Sequence, residues 1–147
     1  MSLARDRNDV TALFALRPLP HSSLDAHEVV SRGLPVAALT HLVNRLAALR
    51  EPAALEKALG MSIRTYQRHK ETPHKPLSQE QGGRVWKFAE ILAEATSVLG
   101  SQPAAEAWLA QPALALDGRV PLDLLGTPMG MSAVETLLGR MRHGVYT

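Results

Sequence analysis

Leu39, Leu42, Val43, Leu46 and Leu49 recur at steps of three and four residues, the spacing that lines up side chains on one face of an α-helix. This stripe predicts a helix opened by Pro35 and closed by Pro52, since proline fits a first helical turn but cannot continue one. A second stripe, Val85, Phe88, Ala89, Leu92, Thr96 and Leu99, predicts a longer helix that Ser78 and Gln81 begin as a capping box and Gly100 ends. A third, Val134, Leu137, Leu138 and Met141, predicts a final helix with Ser132 and Glu135 as its capping pair. Shorter helices fill the intervals. Ser22 or Ser23 caps one that runs to Val30 and stops at Gly33, and Ser101 caps another that carries Pro103 in its first turn and reaches Ala110. Residues 53–59 and 63–71 read as two short helices around a Gly60-Met61-Ser62 turn, the Ser62 hydroxyl capping the second.

Two regions lack this regularity. The first twenty residues mix charges around a short apolar run near Ala12 to Leu16, then meet Pro18 and Pro20, which predicts an arm. From Gln111 onward, Pro112, the Asp117-Gly118 turn, Pro121, Gly126, Pro128 and Gly130 cut the chain into short pieces before the last helix. The organisation that follows is an arm with a short helix over 1–32, a helical domain over 33–100, and a small helical module over 101–147.

The 147 residues suffice to bury a core without staples. The 46% hydrophobic share comes mainly from Ala and Leu, so the expected fold is all-α. No cysteine is present, which excludes disulfides, thiolate catalysis and cysteine-bound zinc. Without an apolar leader or a run near the ~20 residues of a membrane span, the expectation is a cytoplasmic protein with no membrane partner. Six histidines show no HExxH spacing and no glycine-rich phosphate loop follows a strand. His21, Ser22, Ser23 and Asp25 adjoin in sequence, but catalysis needs convergence in a pocket. No enzyme activity, cofactor or metal is expected.

Net charge is only +2, yet Arg64, Arg68, Lys70, Lys75, Arg84 and Lys87 stand against Glu71 and Glu80 between Met61 and Lys87. This local excess spans the second short helix of the helix-turn-helix pattern, the loop after it and the start of the long helix. A helical wheel places Ile63, Tyr66, Gln67 and Lys70 on one side, to anchor the helix, and Arg64, Thr65, Arg68 and His69 on the other, to meet phosphates and base edges. Ser62, Arg64, Thr65, Gln67, Arg68, His69, Lys70 and Lys75 form the candidate DNA-binding set, with His74 beside Lys75 in a basic loop. A solvated cationic face on an ordinary helical hairpin is the plainer alternative. A DNA reader of this size is expected to act as a dimer, since paired half-sites raise affinity through symmetry.

The stretch AWLAQPALALDGRVPLDLLGTPMGMSAVETLLGRMRHGVY, residues 107–146, is the most specific feature of the chain. It joins Trp108 and Leu109, Gly118 before the Pro-Leu-Asp-Leu-Leu of 121–125, Thr127 with Gly130, the Val-x-x-Leu-Leu of the last helix, and the closing His-Gly-Val-Tyr of 143–146. In this combination it resembles the toxin-binding domain of the Xre/MbcA/ParS antitoxin family, and LGMSIRTYQRHKE with the long helix after it resembles the helix-turn-helix preceding that domain in the family. The resemblance runs from about Gly33 to Thr147. It implies an antitoxin paired with a RES-domain toxin that consumes NAD through a fold akin to ADP-ribosyltransferases. The antitoxin would cover the toxin's active site, form a homodimer within a larger toxin-antitoxin complex, and repress its own operon by binding operator DNA. On this basis the candidate toxin-binding residues are Arg119, Asp123, Thr127, Gly130, Arg140, Arg142, His143, Gly144, Val145 and Tyr146.

The residues singled out have plainer readings: Trp108 and Leu109 as core, the 121–125 turn as shaping the module with Asp123 capping or pairing locally, and Arg140, Arg142 and Tyr146 as a solvated or frayed end. Trp86, off the main stripe of its helix, serves a second helix, a dimer partner or, as the favoured reading, the core. The rival function is a stand-alone helix-turn-helix regulator whose C-terminal module binds a small ligand or dimerises.

Overall fold

The computed structural model describes residues 10, 12–15 and 22–144. The helices among them are α1 (Ser23–Arg32), α2 (Val36–Arg45), α3 (Pro52–Leu59), α4 (Ile63–Lys70), α5 (Gln79–Leu99), α6 (Gln102–Leu109) and α7 (Pro128–Arg142). Tight 3-10 turns at Ala48–Arg50, Leu114–Leu116 and Pro121–Leu124 link them. The described residues hold no strand, only isolated bridges between Pro35 and Pro76 and between Ala113 and Arg119. The all-α expectation stands.

α5 is the axis of the fold, with α1, α3, α6 and α7 packed around it. Its Ser78 and Gln81 form the expected capping box and Gly100 ends it in the left-handed region at φ 96°. The predicted stripe is only half of its buried surface: Trp86, Ile91, Ala93 and Ala95 are buried as well, while Thr96 and Leu99 are only half-buried. A helix surrounded on most sides needs apolar residues on more than one face.

Trp86 is covered from an unexpected direction. Val10, Leu13 and Phe14 are buried, and the Phe14 ring stacks on Trp86 with centroids 5.1 Å apart and planes at 18°. The segment read as an arm therefore supplies part of the core. The spacing of these three residues, i, i+3 and i+4, is itself a helical stripe. Residues 1–9, 11 and 16–21 lie outside the described ones.

Two further elements differ from expectation. The stripe of α2 predicts an unbroken helix to Leu49, but α2 ends at Arg45 because Leu46 turns extended at φ −81°, ψ 147°. Leu46 and Leu49 stay buried nonetheless, in the turn that follows. At the other end of the chain, α7 starts at Pro128, not after Ser132. Thr127 is its N-cap, its Oγ1 accepting the Gly130 N–H at 3.0 Å, and Pro128 occupies the first turn. Pro128 and Gly130, read as chain breakers, thus belong to the opening of the helix.

The core continues from the helix-turn-helix half into the C-terminal module, and one buried acid joins them. Glu106 of α6 is 1% exposed. Its Oε1 accepts the N–H groups of Ala47 (2.9 Å) and Leu49 (3.0 Å), and its Oε2 accepts from the Gln102 amide (2.9 Å). The same Gln102 Nε2 donates to the Arg45 carbonyl. These contacts satisfy backbone groups freed where α2 gives way, which offsets the cost of the break.

Candidate functional site

α3 and α4 form the helix-turn-helix. Gly60 closes α3 in the left-handed region (φ 70°, ψ 24°), and a Cβ there would stand 2.6 Å from the Arg84 side chain. After buried Met61, the Ser62 hydroxyl caps α4 by accepting the Thr65 N–H at 3.1 Å. The Glu56 carboxylate accepts the Ile63 N–H at 2.9 Å, so the preceding helix supplies a second acceptor for the first turn of α4. Arg84 of α5 donates to the carbonyls of Ala58 (2.8 Å) and Lys57, capping the same C-terminal end of α3 that Gly60 closes. Glu56 and Arg84 carry the geometry of the site, and neither is visible as a partner from local spacing.

This accounting reduces the basic cluster. Burial holds the Arg84 guanidinium below its ordinary pKa, and its donors are engaged by backbone. Lys87 pairs with Glu135 of α7 at 3.1 Å and with Glu90 at 3.5 Å. Burial alone would lower its pKa, but the hydrogen bond to Glu135 and the two carboxylate charges outweigh that and raise it. Arg64, Arg68, Lys70 and Lys75 remain exposed, as does His74.

The exposed face of α4 is rotated from the wheel expected of it. Tyr66 is buried. Burial raises the phenol's pKa, partly offset by the nearby Thr40 side chain of α2 and the Arg50 charge. Gln67 and Lys70, assigned to the anchoring side, are exposed, while Thr65 and His69, assigned to the outer side, are half-buried. The outward ridge is therefore Arg64, Gln67, Arg68 and Glu71, with Lys70 on its flank at 5.3 Å from the centroid of the Tyr66 ring. Thr65 Oγ1 accepts from the Ser62 hydroxyl at 3.0 Å and from Arg68 at 3.5 Å, which uses it within the site. The loop bearing His74 and Lys75 is fastened at its base by the Leu77 N–H donating to the Leu34 carbonyl at 2.8 Å.

The candidate residues of the C-terminal module fall in two places. Asp117 and Gly118 both take left-handed backbone (φ 57° and 76°) and fold Arg119 back so that its carbonyl accepts the Ala113 N–H at 3.0 Å. The Arg119 side chain is exposed. Asp123 pairs with Lys57 of α3 at 2.6 Å rather than locally, tying the module to the helix-turn-helix. Thr127 is the cap of α7, and a Cβ on Gly130 would overlap the Leu124 carbonyl, so both have packing duties at the start of that helix. At its far end Arg140, His143 and Gly144 are exposed, and Arg142 is half-buried and engaged. Val145 and Tyr146 lie outside the described residues. Leu109 is fully buried and Trp108 packs against the core, whereas Leu114 and Met129 leave large apolar side chains exposed on the same module.

Among the described residues no helix is long and apolar enough to cross a membrane. Residues 25–90 match the family model described as the antitoxin Xre-like helix-turn-helix domain, and residues 94–144 match that of the antitoxin Xre/MbcA/ParS C-terminal toxin-binding domain. An Antitoxin Xre from Pseudomonas putida is 32% identical over 69 residues, which is 47% of this chain and 43% of that protein. An Antitoxin Xre from Yersinia enterocolitica is 29% identical over 96 residues, 65% of this chain and 64% of that protein. The matched stretches thus span less than two thirds of either relative. With the two domain matches following one another along an all-α chain, the protein belongs to the Xre-type antitoxin family.

Proposed function

We propose that this protein is a non-enzymatic, cytoplasmic antitoxin that binds and blocks a RES-domain, NAD-degrading toxin and represses its own operon. The DNA-binding unit is 33–100 and the toxin-binding unit 101–147. The observation that carries the DNA half is the ridge of α4, where Arg64, Gln67 and Arg68 stand exposed on a helix whose first turn is held by Ser62 and Glu56. In the major groove Arg and Gln meet guanine and adenine edges, while Lys70 and Lys75 are placed for phosphates. The toxin half is supported by the Arg119 turn and by the Arg140 end of α7, where exposed guanidinium groups suit a cleft that handles a pyrophosphate-bearing substrate.

Replacing Arg64 and Arg68 together by alanine is expected to abolish operator binding while leaving toxin neutralisation intact. It should also flatten the dependence of log affinity on log salt, since fewer counterions are released. Wild-type operator affinity in the double variant would overturn the assignment of α4, and a variant that also failed to neutralise would show that the two activities are not separable. A chain that bound DNA but left a co-expressed neighbouring toxin active would be a stand-alone regulator. The unit that meets the operator is a homodimer in this reading, so sedimentation of the isolated chain at micromolar concentration is expected to give twice the 15.9 kDa mass of one chain. A monomer under those conditions would count against it.

A further inference from the structure

The outward ridge of α4 carries one residue of the opposite sign to its neighbours. Arg64, Gln67, Arg68 and Glu71 follow at helical steps and are all exposed. Glu71 is the C-terminal cap of α4 (φ −72°, ψ −19°), its N–H donating to the carbonyls of Arg68 and His69. A carboxylate at that end faces the negative pole of the helix dipole. None of the salt bridges among the described residues includes it. Approaching a duplex it also meets phosphates of its own sign, so a neutral or basic side chain would bind DNA in general more tightly. What a carboxylate does in the major groove that a cation cannot do is accept a hydrogen bond from the exocyclic amine of cytosine.

We propose that Glu71 is a specificity-determining residue of the operator-binding surface, accepting from the N4 amine of a cytosine and repelling sequences that present a carbonyl or phosphate in its place. This rests on α4 being the DNA-reading helix. It assigns the ridge two kinds of work. Arg64 and Arg68 supply attraction that any duplex satisfies in part, and Glu71 weakens binding wherever its acceptor finds no donor, which raises the ratio of specific to general affinity. Gln67 stands one helical turn before it on the ridge, exposed, and in this assignment it would meet a neighbouring base pair.

The test uses the full chain, as wild type, Glu71→Ala and Glu71→Gln, with a pool of random duplexes at one fixed salt concentration. Bound duplexes are sequenced, and affinities are measured for the selected duplex and for a scrambled one. Wild type is expected to enrich a cytosine at one position that Glu71→Ala no longer enriches. Glu71→Ala is also expected to bind the scrambled duplex more tightly than wild type, with selectivity falling by about tenfold or more. Glu71→Gln, which carries donor and acceptor together, should shift that position toward adenine. If Glu71→Ala raised affinity for both duplexes equally and left the enriched sequence unchanged, Glu71 would be a solvated helix end and the proposal would be wrong. If wild type enriched no sequence at all, α4 would not be a sequence reader, and both readings would fall.

Discussion

Replacing Glu106 with alanine is expected to lower the unfolding free energy by about 2 to 5 kcal/mol, because the buried Leu49 N–H loses a charged acceptor and the part-buried Ala47 N–H loses one that water replaces only in part, a full bond of this kind contributing roughly 1.5–3 kcal/mol. The donors are Ala47 and Leu49, at 2.9 and 3.0 Å, and the carboxylate is 1% exposed, so water cannot reach the Leu49 N–H in its place without opening the core. Against a typical total of about 5–15 kcal/mol this is a large fraction, and the melting temperature should fall on the order of 10 °C. Glu106→Gln keeps one acceptor oxygen but turns an amide donor toward the Gln102 amide, and its stability should lie between wild type and alanine. Urea unfolding monitored by circular dichroism checks the order. A loss below about 1 kcal/mol for the alanine variant would mean that these amides are satisfied by other groups.

That acid also marks where reading the sequence stops. Leu46 and Leu49 continue the stripe of α2, and nothing nearby tells the chain to leave the helix after Arg45. The acceptor for the freed amides lies 57 and 59 residues away, on a helix of its own, and only folding brings it near. The rotation of α4 has the same kind of cause. Eight residues with one buried aromatic do not set their own orientation, which is decided by how Tyr66 enters the core where α4 meets α2. The ridge was legible as a basic helix after a glycine turn, but not which of Thr65, Gln67, His69 and Lys70 would face outward. By contrast, the capping box of α5, the Gly60 turn and the Val134, Leu137, Leu138 stripe are decided within a few residues, and they appear where local chemistry put them. Two further features are also decided locally. Val10, Leu13 and Phe14 already have helical spacing, and Pro128 favours a helix starting one residue after Thr127 over one starting at Ser132.

Deleting residues 143–147 and replacing Arg140 with alanine should yield a folded, DNA-competent protein that no longer protects cells from its toxin. The structure sets the cut. α7 is capped by Thr127, buries Val134, Leu137 and Leu138, packs Met141 against the core, and ends at Arg142. A cut after Arg142 therefore spares every apolar side chain of that helix, whereas one at Arg140 would also remove Met141. The residues removed include an imidazole, Gly144 at φ 77° and, by sequence, the aromatic Tyr146. Arg140, exposed on the last turn of α7, supplies the guanidinium. Arginine and tyrosine are frequent anchors of protein interfaces, and truncating such anchors commonly costs about 2 kcal/mol or more of binding each. Losing both should weaken toxin capture by at least a hundredfold, since every 1.4 kcal/mol is about a factor of ten. Co-expression with the toxin reads out protection, and circular dichroism and operator binding of the altered chain alone report whether the rest is intact. Survival equal to wild type would place inhibition elsewhere on the module, with the Arg119 turn the next surface to alter. A loss of helical signal or of operator binding would instead mean that the end of the chain is needed for the fold.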